Sequence, residues 1–171
     1  NRQQQLQKLD ELVKARFVEL FGDPISNPMN WNKRTLKEVC IKLNDGTHFS
    51  PESFSMGDYK YITAKNIKAS GFDFSNITYV PEAVHRPIFE RCNPEQGDVL
   101  YIKDGATTGI AIVNTLKEEF TLLSSVALLK QNRNVINGYF LAALLNNADM
   151  YSDIRNNMGG AAITRLTIAK L

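Results

Sequence analysis

Cysteine is scarce in this chain: Cys40 and Cys92 are the only two among 171 residues, and neither sits in the paired spacing of a zinc site. They read as reduced thiols of a cytosolic protein. Long apolar runs are missing as well. None approaches the roughly 18 residues of a membrane span, and the start NRQQQLQKLDEL is polar and helix-forming, unlike a signal peptide. A cytoplasmic location is expected. Charge of one sign is also in short supply. The formal net charge is +2, which excludes a uniformly basic nucleic-acid coat. Any phosphate-binding face has to be local. Lys33, Arg34, Lys37 and Lys42 are set against Glu38 alone between Trp31 and Lys42, and Lys60, Lys65 and Lys68 lie in a stretch without an acid.

The common catalytic signatures are absent too. There is no G-x-S-x-G elbow, and His48 and His85, the only histidines, have no neighbour that makes a convincing metal pair. A nuclease needs acid-x-Lys on a strand, yet the residue two before Lys103 is Tyr101. The glycine-rich GATTG at 105–109 lacks the lysine and the following helix of a phosphate loop. No Pro-Pro occurs, which removes the Asn/Asp-Pro-Pro-aromatic loop with which an adenine methyltransferase holds a flipped base. The chain reads as a non-enzyme, with no catalytic residue, metal site or cofactor of its own.

What is present suits one globular domain with an appendage, since 43% of the residues are apolar. Residues 1–22 are dense in Leu, Gln, Lys, Glu and Arg, good helix formers. Leu6, Leu9, Val13, Phe17 and Leu20 fall at spacings of 3, 4, 4 and 3 on one face, widened by Leu12, Val18 and Phe21. Gly22 and Pro24 supply the stop. Such a stripe asks for a partner helix, and the polar start suggests a helix that continues upstream. DPISNPMN at 23–30 is turn chemistry. From Trp31 onward, β-like runs at 59–64, 77–80, 98–103, 109–113 and 120–130 alternate with turn signals. Helical spacing covers 136–157, with Met150, Tyr151 and Ile154 in a second or continued helix, broken by Gly159-Gly160, before a last β-like run at 162–171 that stops in mid-pattern, as in a fragment. Strands followed by helices predict an α+β fold.

Two Asp-Gly pairs stand out, in NDGTHFSPESF (44–54) and YIKDGATTGIAIV (101–113). Both are first of all tight turns. What they carry is suited to nucleic acid: Thr47 and His48 in one, Thr107 and Thr108 in the other, short polar groups able to reach base edges or phosphate oxygens. Lys65 and Asn66 add a cation and an amide at a strand end, and Asn matches adenine in bidentate fashion.

The ordered set LDELVKARFVELFGDP, MNWNKRTLKEV, LNDGTHFSP, YKYITAKNI, GDVLYIKDGATTG, SSVALLK and MGGAAITRLTIAKL resembles, over essentially the whole chain, the specificity (S) subunit of type I restriction-modification enzymes. The resemblance implies a β-rich target recognition domain with a few helices, plus a long N-terminal helix of coiled-coil type. Residues 1–22 then correspond to the end of a conserved spacer helix, and 23–171 to one DNA target recognition domain that reads half of a split target. Asp45, Gly46, Thr47 and His48 match the family's Asp-Gly-x-His loop, expected near the duplex. Gly97-Asp98 and Asp104-Gly105 match scaffold turns. Phosphate contacts are expected from Lys33, Arg34, Lys65, Lys68 and Lys103, and polar readout from Thr47, His48, Asn66, Thr107, Thr108 and Ser124.

The resemblance places catalysis in partners. Modification subunits carrying S-adenosylmethionine would methylate adenines, and a restriction subunit would cut distant DNA using ATP and Mg²⁺. The stripe Leu6, Leu9, Val13, Phe17 and Leu20 would pack on a second conserved helix, from another recognition domain or a second copy, and dock the modification subunit. The main alternative is a protein-interaction adaptor without DNA affinity. A small-molecule enzyme built on His48 and Asp45 would require a deep pocket around His48.

Overall fold

The computed structural model describes residues 2–156. The first helix, α1 (Arg2–Phe21), ends where Gly22 turns to φ +79° and donates its N–H to Val18 O at 2.8 Å. The indole N–H of Trp31 then donates to Phe21 O at 2.9 Å and occupies one of the carbonyls the helix end leaves open. DPISNPMN is a turn, as expected: the Asp23 carboxylate accepts from Ile25 N at 2.9 Å and from the Ser26 hydroxyl at 2.7 Å, and these bonds lower its pKa. The helix is held to the body near its C-terminal end, where the Phe17, Phe21 and Phe140 ring centroids lie 5.0–5.6 Å apart. Leu6, Leu9 and Val13 are each more than half exposed. Among the described residues, no helix is long and apolar enough to cross a membrane.

The body has two main sheets and a two-stranded hairpin. A short helix, α2 (Leu36–Val39), carries a capping box between Thr35 and Glu38 and feeds β1 (Cys40–Asp45). A four-stranded antiparallel sheet has the order β1, β9 (Val126–Gln131), β6 (Val99–Ile102), β7 (Ala111–Val113). A three-stranded sheet has the order β5 (Thr78–Val80), β2 (Tyr59–Ile62), β8 (Phe120–Leu122), with β2 and β8 parallel. A 3₁₀ turn at Ala64–Asn66 leads into a small hairpin of β3 (Ile67–Lys68) and β4 (Gly71–Phe72). Helix α3 (Glu82–Arg91) packs on β8, while α4 (Gly138–Leu145) covers β6 and β7 and is followed by α5 (Ala148–Asn156).

The central strands show why their sequences read as near-continuous apolar runs. In β6, Leu100 and Ile102 enter a core shared with Ile62, Phe120 and Leu122 of the second sheet, whereas Val99 and Tyr101 enter a core shared with Leu141 and Leu145 of α4. In β9, Val126 and Leu128 go one way, and Ala127 and Leu129 the other. Period-two alternation therefore buries both faces of each strand. β1 is an edge strand, and a register shift between Cys40 and Lys42 turns Ile41 out to 69% exposure.

One expectation changes, one is narrowed and one element is new. The run 120–130 is two strands, because Leu123–Ser125 carries the chain from one sheet to the other. The helix at 136–157 is broken at Asn146-Asn147, where the buried Asn147 side chain accepts from Asp149 N and Met150 N and starts α5. Helix α3 went unread, since Pro81 precedes it and Pro87 lies inside it. The break at Gly159-Gly160 and the run at 162–171 lie outside the described residues.

Gly46 sits where the sheets meet. A Cβ there would lie 2.0 Å from Leu122 O, and that oxygen is already bonded to Thr47 N at 2.8 Å. Gly46→Ala should therefore cost about 3 kcal/mol or more in urea unfolding, at the upper end of overpacking penalties; a loss under ~1 kcal/mol would contradict this packing.

Candidate nucleic-acid interface

The two Asp-Gly loops converge on the sheet-to-sheet crossover. β1 delivers Asp45 opposite Ala127, and β6 ends with Ile102 opposite Val126, so Asp45 and Lys103 stand on either side of the start of β9. They close over it: Lys103 Nζ lies 3.2 Å from Asp45 Oδ2, with the two side chains 2% and 6% exposed. The backbone is stitched along the same line. Thr47 N donates to Leu122 O at 2.8 Å, Ser124 N to Thr47 O at 2.9 Å, Lys103 N to Ser125 O at 3.0 Å and Leu123 N to Ile62 O at 3.0 Å. The Ser125 hydroxyl accepts Ala64 N at 3.2 Å and brings in the 3₁₀ turn. Four segments, 45–49, 63–66, 103–108 and 123–125, thus form one rim.

The family model of the type I restriction modification DNA specificity domain matches residues 28–171. The chain belongs to that family. No catalytic family is indicated, and the family is a specificity module. The fold is similar to that in the crystal structure of the type I restriction-modification system S subunit from M. genitalium, with a TM-score of 0.54 and 19% identity. That match covers 86% of this chain and 34% of the S subunit, and at this identity it shows the fold alone. A comparison with curated protein sequences found no match.

In this specificity domain the expected site residues divide into frame and rim. Asp45, Gly46, Thr47, Asn66, Lys103 and Thr108 are interior. Lys103 is not presented to a phosphate, because its ammonium is spent on Asp45. Asn66 is not free to pair with adenine. Its carbonyl accepts the Thr63 N–H at 3.1 Å and the Thr63 hydroxyl at 3.2 Å, and its amide donates to Asp73 O at 3.2 Å. The Thr108 hydroxyl donates to Gly105 O at 2.7 Å, and its side chain closes the second loop from inside. His48, Lys65 and Lys68 are exposed, and Thr107 and Ser124 are half-buried. Lys33 and Arg34 are exposed before α2, at the Cys40 end of β1, away from the rim. The His48 ring is not enclosed: its side chain is 59% exposed while Nε2 lies 3.1 Å from Asp45 Oδ1.

Two arginines that sequence reasoning missed hold the loops. Arg91, the last residue of α3, reaches Asp45 Oδ1 at 3.5 Å and Asn44 Oδ1 at 3.4 Å, and donates to Gly46 O. Arg155, near the end of α5, donates to Thr108 O at 3.1 Å and Ala106 O at 3.3 Å, while the Tyr151 ring fills the space beside Gly109, where φ is +108°. Each Asp-Gly loop is therefore gripped through backbone carbonyls by a guanidinium from a helix end. A separate cleft is lined by Asp58, Tyr59, Lys60, Arg86, Glu118 and Glu119, where Arg86 Nη1 lies 2.9 Å from Glu119 Oε2 and Lys60 pairs with Glu118.

Breaking the buried pair from one side should leave an uncompensated charge. Lys103→Met and Asp45→Asn should each cost about 3–5 kcal/mol, and the double variant less than their sum. Urea unfolding of the three variants measures this; fully additive losses would show that the two side chains do not act together.

Proposed function

We propose that this specificity domain reads one half of a bipartite DNA target through the rim of converging loops, and passes that address to modification and restriction subunits. The observation that carries the reading is the sorting of the rim. Buried polar residues are consumed in fixing the loops, and the groups left at the surface, His48, Lys65, Thr107 and Ser124, with Lys68 on the hairpin that follows the 63–66 turn, suit base edges and phosphate oxygens.

In this reading residues 1–22 are the end of a spacer helix and 23–171 the recognition domain. The uncovered stripe of Leu6, Leu9, Val13 and Leu20 joins a second helix in a coiled coil, while Phe17 stays on the body against Phe140. That second helix comes from another recognition domain or from a second copy. Adenine methylation with S-adenosylmethionine, and cleavage with ATP and Mg²⁺, belong to the partner subunits.

Selection of a randomised duplex pool by this chain, at low and moderate salt, tests the reading. Enrichment of a short half-site is expected, and no binding under either condition would overturn it. On the selected site, Lys65→Ala should weaken all sequences alike and flatten the log–log salt slope by about 0.9. Thr107→Ala should relax preference at one position, by about 1–3 kcal/mol. Sequence-dependent losses from Lys65→Ala, or an unchanged profile from Thr107→Ala, would reverse the two assignments.

A further inference from the structure

One side chain at the rim has no part in that reading. Phe49 directly follows His48 and is 62% exposed, although a phenyl ring gains by burial. The backbone beneath it is fixed. Thr47, 2% exposed, is bonded on both sides to the crossover, and its hydroxyl accepts Phe49 N at 3.3 Å. The far foot of the same arch is fixed as well, since Phe54 exchanges two 2.9 Å backbone hydrogen bonds with Tyr79. The arch thus holds an apolar ring outward from a rigid base. Cationic and polar groups stand at its root: the Arg91 guanidinium, 44% exposed, and the His48 imidazole both contact Asp45.

We propose that Phe49 enters the bound duplex, inserting at or stacking on one base step beside the contacts of His48. This inference rests on the reading of the rim as a DNA surface. The physical case has three parts. Every base offers a π-face to an aromatic ring, whatever the sequence. Apolar wedges inserted between base steps work beside polar and basic groove contacts, and the exposed His48 and the partly exposed Arg91 stand at the root of the arch. A ring on a pinned arch also loses little freedom when it is taken up, so more of the stacking appears as affinity. Phe49 would thereby favour half-sites with an easily opened step at one position.

The test uses this chain and its selected half-site, with 2-aminopurine placed at each step in turn. Wild type should brighten one step. Phe49→Ala should abolish that signal and weaken binding roughly 5- to 100-fold, with the salt slope unchanged because phosphate contacts remain. Phe49→Trp should restore both, and Ile41→Ala, which removes an exposed apolar side chain from β1, should behave as wild type. Wild-type binding with no brightened step, or Phe49→Ala binding with wild-type affinity, would overturn the insertion and leave the DNA reading intact. Failure of every variant, wild type included, to bind any duplex would remove both.

Discussion

The ion pair between Asp45 and Lys103 is the constraint on which the rim of this domain depends. It joins the end of β1 to the end of β6 across the start of β9, the strand that lies between them. Two charges so deeply withdrawn from water are tolerated because each finds the other and because Asp45 has further partners in His48 and Arg91. The geometry leaves little freedom. Asp45 must reach inward, so Gly46 must pass against Leu122 O without a side chain, and Thr47 then meets the crossover backbone.

This arrangement separates the residues that hold the loops from those that face outward. The crossover at Leu123–Ser125 is bonded to the 45–47 loop, to the end of β2, to the 3₁₀ turn and to the residue that opens the second Asp-Gly loop. Buried side chains serve those bonds. Outward-facing positions, Phe49 and Lys65 among them, carry few structural duties. Arg91 and Arg155 extend the arrangement, since each ties a rim loop to a helix behind the sheet through backbone oxygens that any loop sequence provides.

The sequence made the scaffold legible where periodicity was strong. The helix at 2–21, the strands around 59–62, 99–102 and 111–113, and the α+β class are all present. It was opaque where a tertiary contact decides the outcome. Ser124-Ser125 looks like the middle of a strand, yet the chain changes sheets there. Lys103 and Asn66 look like surface donors because lysine and asparagine are usually exposed, and the partners that bury them, Asp45 and the Thr63 and Asp73 backbone, reveal themselves only in the fold. Helix α3 was masked by its prolines, and with it the address of Arg91. Phe49 was within the quoted loop, but its exposure on a pinned arch is a property of the fold.

Hydroxyl-radical footprinting of side chains, with and without the selected duplex, tests the central division most directly. His48 and Phe49 oxidise readily while exposed, as do Trp31 and Tyr139, which are 58% and 69% exposed on other elements. Duplex should protect His48 and Phe49 and leave Trp31 and Tyr139 as reactive as before. Protection of Trp31 or Tyr139 with His48 and Phe49 unchanged would place the DNA on another face and contradict the rim as the reading surface.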